Sequence, residues 1–274
     1  ARGGARARRP LQGHTIMTAD PRPRHKYVVV LGSCSTADAI KTKNLEDIRG
    51  AKLRLLWYQG RTSLLSMTSG AMRPDEFAYT DEREKVSQND WGLTMVADEL
   101  EKRQQGRLAG VIGMSDALIF DAVSGFGFPY FVVGPGERYF LRSEEWRRYV
   151  TLRAGFEQRR LWEFPMEFSE RALREVLEPL YERQPSLRTI FHLPRPSFND
   201  GIRFDDQQLA ANLDFYYRYG ERLYREASRL FPRVSAVGCG GERADPSHYM
   251  GSYPFHYDES YMDALRKEIE RLLE

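Results

Sequence analysis

The sequence has little of what small disulfide-bonded or metal-clasping folds need. Its 274 residues hold two cysteines, Cys34 and Cys239, too far apart in the chain to suggest a disulfide framework, so a reducing cytoplasm is the expected setting. The five histidines form no His-Glu-x-x-His pair and the cysteines no Cys-x-x-Cys pair, which excludes a ready-made zinc site; no metal or resident cofactor is expected. No run approaches the roughly 18 consecutive apolar residues of a membrane-spanning helix, so a membrane span is excluded. A basic stripe on the folded body is also missing. Of 41 Lys and Arg against 39 Asp and Glu, seven basic residues and a single acid, Asp20, fall in the first 26 positions, leaving the remainder acidic by four charges. That balance gives no footprint for nucleic acid.

Residues 1–26 carry this basic excess with low apolar content and no periodicity, which predicts a disordered tail; they also lack the apolar run of a signal peptide. Residues 27–274 read as a single α/β domain. Apolar β-like runs at 27–31, 53–58, 117–123, 187–192 and 234–238 alternate with stretches of helical periodicity at 90–103, 169–182, 206–230 and 258–273. The pattern predicts a three-layer, flavodoxin-like, mostly parallel sheet of about five strands with helices on both faces. Residues 125–139, GFGFPYFVVGPGERY, hold too many Gly and Pro for regular structure and too many aromatics for a solvated linker. An ordered loop that lines a pocket or caps the core is expected there.

In such a sheet, ligands bind outside the carboxyl ends of the strands, so the turn after the first strand is a functional position. It reads Gly32-Ser33-Cys34-Ser35-Thr36. Gly32 permits a tight turn, Ser35 or Thr36 is a suitable N-cap, and a thiol at a helix start is expected to ionise more readily than free cysteine. The bland alternative is a small buried cysteine filling space beside the strand. A second cluster, Gly241 to Tyr261, follows the fifth strand and contains Asp245, His248 and His256. Asp and His three positions apart in a loop can set a carboxylate under an imidazole, so Cys34, His248 and Asp245 could form a nucleophile–base–orienter set. His256, flanked by Pro254-Phe255 and Tyr257, is the competing base or a packed core histidine. Arg61 and Ser63, after the second strand, lie at the same sheet edge. There Arg61 either meets an anionic group or pairs with Asp121.

A strand ending in Gly-x-nucleophile near the start and Asp-x-x-His near the end resembles the SGNH/GDSL superfamily of esterases and acyltransferases. Gly32-Ser33-Cys34 stands where that superfamily has Gly-Asp-Ser, and Asp245-Pro246-Ser247-His248 matches its closing block. LGSCSTADAI, YQGRTSLLS and HYMGSYPFHY together resemble a bacterial group of unknown function allied to that superfamily. Related Gly-Ser-Cys variants of that group occur near polysaccharide and natural-product biosynthesis. The resemblance implies an acyl hydrolase or acyltransferase with Cys34 as nucleophile, His248 as base and Asp245 as its orienter. It also implies a small-molecule or carrier-bound acyl substrate, with an acyl thioester such as acyl-CoA or acyl carrier protein as donor. Oxyanion donors are expected from a Gly and an Asn in the superfamily's middle blocks, which this chain does not match securely. Ser33, Arg61, Ser63, Asn199 and His256 are the candidates for substrate or oxyanion contact. The favoured alternative for Asn199 is a loop residue that caps a turn with Asp200 and Gly201. Cys239, at the end of the fifth strand, could serve as a resolving thiol. The rival from another class is a noncatalytic protein that binds a glycan, an acyl chain or a carrier protein on the same fold.

Overall fold

Val28, Val29 and Val30 have no exposure at all, so both faces of the first strand are covered, which is why its sequence runs continuously apolar instead of alternating. The protein is described by a computed structural model covering residues 25–41, 52–81, 90–134, 136–199, 206–248 and 253–274. Most of the basic tail, the turn residues Asp200 and Gly201, and residues 249–252 of the closing loop lie outside the described residues.

In chain order the first elements are β1 (Lys26–Gly32), α1 (Cys34–Ile40), β2 (Leu53–Gly60), α2 (Leu64–Met67), β3 (Phe77–Tyr79), α3 (Trp91–Glu101) and α4 (Gln104–Ile112). There follow β4 (Ala117–Phe120), α5 (Val123–Gly127), β5 (Tyr130–Val133), β6 (Arg138–Leu141), α6 (Glu144–Tyr149), β7 (Val150–Leu152) and β8 (Phe156–Arg159). The chain ends with α7 (Met166–Arg183), β9 (Arg188–His192), α8 (Gln207–Ala211), α9 (Leu213–Leu230), β10 (Val234–Val237) and α10 (Glu259–Leu273).

The five expected core strands form one sheet in the order β10-β9-β4-β1-β2, and every pairing in it is parallel. Counted along the chain this is the second-first-third-fourth-fifth order of the flavodoxin-like class, and the arrangement is a three-layer α/β fold. The chain leaves β1 in one direction and returns on its other side at β4, so a crevice opens over the carboxyl ends of these two strands. Helix α7 packs against α2, α4 and α9, whereas α1 packs against α10. Those two groups of helices cover the sheet. Among the described residues, no helix is long and apolar enough to cross a membrane.

The helices follow the periodicity closely. The stretch 90–103 becomes α3, capped by the Asp90 side chain and closed by Lys102 in the left-handed conformation (φ 55°). The stretch 206–230 is broken at Asn212 into α8 and α9, while Asp258 caps α10 by accepting the Tyr261 N–H at 3.0 Å.

The expected loop 125–139 is different: it forms the end of α5 and an antiparallel hairpin, β5–β6, joined to β8 in a small three-stranded sheet. Tyr130 to Val133 are buried in this strand, and positive φ at Gly134 (70°) and Glu137 (44°) closes its turn. A four-residue strand bounded by Gly and Pro gives too short a pattern to stand out from a loop. A second apolar cluster, including Leu100, Phe131, Phe140, Trp146 and Tyr149, sits under this hairpin apart from the main core.

Candidate active site

Gly32 ends β1 where the chain must pass the carboxyl end of β4. A Cβ on Gly32 would stand 2.4 Å from Asp121 Oδ2, so only glycine fits the turn. Ser33 takes the N-cap position, which the sequence suggested for Ser35 or Thr36, and Cys34 is the first helical residue. Ser33 directs its hydroxyl away from the helix and into Asp121. The Asp121 carboxylate accepts four hydrogen bonds: from Ser33 N–H (2.8 Å), Ser33 Oγ (2.9 Å), Thr36 Oγ1 and Val123 N–H (3.0 Å). Burial raises the Asp121 pKa above the usual carboxylate value, against the lowering effect of these donors.

Cys34 Sγ lies 3.6 Å from His256 Nε2, within hydrogen-bond reach for sulfur. It is His256, the competing candidate, that meets the thiol. His248 stacks on His256 with ring centroids 4.3 Å apart and an interplanar angle of 27°, and its Nε2 is 3.7 Å from Asp38 Oδ2. Asp38 in turn takes Lys41 Nζ at 2.9 Å. Asp245 shapes the closing loop through several bonds. Its N–H donates to the His256 carbonyl (2.7 Å), its carbonyl accepts His248 N–H (3.2 Å), and its Oδ1 accepts Ser247 N–H (2.8 Å) and Oγ (2.7 Å). A further bond joins the two chain segments directly, from Ser35 Oγ to the Phe255 carbonyl next to His256.

The thiol is not depressed as its helix-start position suggested. Burial, then the Asp38 and Asp121 carboxylates, push the Cys34 pKa up to about 11, and the Arg61 charge and a backbone bond at Ser35 offset only part of this. The seven residues of α1 offer a modest dipole, and desolvation of a thiolate outweighs it. Cys34 therefore rests as a neutral thiol beside a ring nitrogen, not as a preformed thiolate.

Arg61 occupies a left-handed backbone position (φ 51°) at the end of β2, a strained conformation for a residue with a side chain. Its Nη1 is 2.9 Å from Glu145 Oε2, and the guanidinium lies over the rings of Phe128 (5.5 Å) and Trp91 (5.9 Å). Its ion pair is thus with Glu145, not Asp121. Ser63 caps α2, accepting Ser66 N–H at 3.2 Å. Asn199 exchanges two bonds with the Ala244 backbone, at 2.9 and 3.1 Å, and these brace the closing loop. Cys239 is a free thiol, as is Cys34, and packs against the main core.

Two groups that the sequence did not single out lie beside these residues. His192, at the carboxyl end of β9, is buried, with Nδ1 2.7 Å from Thr36 Oγ1 and Nε2 2.9 Å from the Tyr261 hydroxyl. Tyr253 is within 5.5 Å of the His256 ring, and burial raises its phenol pKa. A polar residue closing an apolar run, as in LIFD and TIFH, was the available signal for Asp121 and His192. A separate cleft of about 630 Å³ opens over the ends of β9 and β10, lined by His192, Leu193, Tyr216, Gly220 and Gly238 among others.

No family model matches the chain, and no curated protein does. The chain is similar to a candidate GDSL-like lipase from Parabacteroides merdae, at 11% identity and a TM-score of 0.45, over 92% of this chain and 99% of that one. It is similar to an aryl esterase from M. smegmatis at 10% identity and a TM-score of 0.40, over 90% of this chain and 99% of that one, and to a family two carbohydrate esterase from Clostridium thermocellum at 10% and 0.40, over 93% and 67%.

Proposed function

We propose that the protein is an SGNH-like acyl hydrolase or acyltransferase in which Cys34 attacks an ester or thioester carbonyl and His256 is the base. The observation that carries this reading is the 3.6 Å contact between Cys34 Sγ and His256 Nε2, at the carboxyl edge of a parallel sheet. A thiol with a pKa near 11 does not ionise by itself at neutral pH, so a ring nitrogen within reach is what the chemistry requires.

As the S–C bond forms, the thiol proton passes to Nε2 and the carbonyl becomes a tetrahedral oxyanion. Collapse breaks the bond to the leaving group, which takes the proton back from His256, and a thioacyl enzyme remains. Water, or the hydroxyl or amine of an acceptor, then loses its proton to His256, attacks the thioester and releases Cys34 as a thiol. A thioester intermediate is open to amines, which favours transfer from a thioester donor such as acyl-CoA or acyl carrier protein over plain hydrolysis.

His248, stacked on His256 and close to Asp38, is the group that would feel the charge His256 acquires. Arg61 is the cation that counters negative charge at Cys34. Ser33 and Asn199 hold backbone and carboxylate partners, so they serve the site's shape more readily than an oxyanion. An association with polysaccharide or natural-product biosynthesis belongs to the same reading.

The test is intact-protein mass spectrometry after incubation with a panel of acyl thioesters and esters. A mass gain in the wild type that Cys34→Ala lacks, and that His256→Ala slows, identifies nucleophile, base and acyl group together. Equal labelling of the wild type and Cys34→Ala sinks the proposal and leaves the noncatalytic binding protein as the better reading.

A further inference from the structure

Cys34 and His256 lie 222 positions apart, so their contact depends on how two remote segments are held together. Cys34 opens α1, and His256 precedes α10 by three residues. Between these helices runs a row of buried side chains. Thr36, two residues after the thiol, bonds Asp121 on one side and His192 Nδ1 on the other, while His192 Nε2 meets the Tyr261 hydroxyl in the first turn of α10. None of the four side chains is more than 3% exposed.

The row has one consistent direction of donation. Burial lowers the His192 pKa to about 3, so the ring is neutral and carries a single N–H. The Thr36 hydroxyl spends its one proton on Asp121, so it must accept from His192 Nδ1–H, and Nε2 must then accept from the Tyr261 O–H. Asp121, which also takes both donors of Ser33, anchors the end of the row next to the thiol.

At the other end Asp258, two residues beyond His256, caps the helix by accepting the Tyr261 N–H. The helix carrying Tyr261 therefore starts in register with the loop that carries the base.

We infer that Asp121, Thr36, His192 and Tyr261 form a positioning row that sets the separation between the Cys34 thiol and the His256 imidazole, with His192 as its spacer. The inference rests on the reading of His256 as the base of Cys34. The row acts through the two helices that carry Thr36 and Tyr261, so its members are positioning residues.

The experiment measures the rate at which iodoacetamide alkylates Cys34 at pH 8, with peptide mapping to separate Cys34 from Cys239. The variants are His256→Ala, Thr36→Val, Thr36→Ser and Tyr261→Phe, each checked for a native thermal transition. His256→Ala is expected to slow alkylation about tenfold or more, the scale of a lost general base. Thr36→Val keeps the shape but cuts the row, and is expected to lose most of the same factor, with Thr36→Ser restoring the rate to within about twofold. Should Thr36→Val fail to fold, Tyr261→Phe cuts the row by removing one hydroxyl and is expected to slow the reaction likewise. Folded Thr36→Val or Tyr261→Phe alkylating at the wild-type rate, with His256→Ala still slow, overturns the row and leaves the base intact. If His256→Ala alkylates like the wild type, the base assignment fails and the row fails with it.

Discussion

The thiol of Cys34 keeps its proton to about pH 11 in the folded chain, whereas an unfolded thiol gives it up near 9. The folded state thus binds more protons than the unfolded state between these values. The stability Cys34 contributes is fully present below pH 9 and is lost as pH rises towards 11. The loss is on the order of 2–3 kcal/mol, and comparing urea midpoints of the wild type and Cys34→Ala from pH 8 to 11 should show the variant with the flatter decline. Gly32 is a second single-residue constraint, because of the Asp121 carboxylate packed against its Cα. Gly32→Ala is expected to cost about 1–3 kcal/mol by overpacking, and to disturb the Asp121 bonds to Ser33. A lower thermal midpoint together with altered Cys34 alkylation would be the signature; an unchanged midpoint would mean that Asp121 can move aside.

Among the elements, the joint between α2, α3, α4 and β6 depends on one buried ion pair. Lys102 Nζ reaches Glu99 Oε1 (3.1 Å), Ser66 Oγ (3.1 Å) and the Tyr139 carbonyl (2.9 Å). Glu99 also accepts from Ser66 Oγ, Leu141 N–H (2.8 Å) and Gln104 Nε2 (2.9 Å). Burial lowers the Lys102 pKa and the Glu99 charge opposes that shift. Removing the cation alone leaves a buried carboxylate without its counter-charge, so Lys102→Met should destabilise by about 3–5 kcal/mol. The double variant Lys102→Met with Glu99→Gln should lose less than the two single losses combined, as measured by chemical denaturation. This joint braces the small sheet and not the turn of Cys34, so Cys34 alkylation should change little in folded Lys102→Met. Periodicity made the helices legible in the sequence, but the joint was not, since Glu99, Lys102 and Ser66 look like ordinary surface residues until the helices pack.

At the scale of the whole molecule, His192 sets the acid limit. Its folded pKa of about 3 lies below the unfolded value of 6.5, so the stability it contributes is present above pH 6.5 and is lost as pH falls towards 3. That loss is on the order of 3–5 kcal/mol, and His192→Gln should flatten the fall in urea midpoint between pH 6.5 and 4. With Cys34 limiting the alkaline side, these two groups confine the greatest stability to the range between roughly pH 6.5 and 9. The sequence by itself determined the five apolar runs, their parallel sheet and the placement of Gly32-Ser33-Cys34 at its carboxyl edge. Hydrophobic periodicity and strand-to-helix order are local properties that a chain carries without its fold. Tertiary structure alone decided that His256 is the ring at the thiol, that Arg61 pairs with Glu145, and that Cys34 is harder to ionise than free cysteine. Each of these depends on which distant side chains share a buried volume, and on the loss of water around a charge when they do.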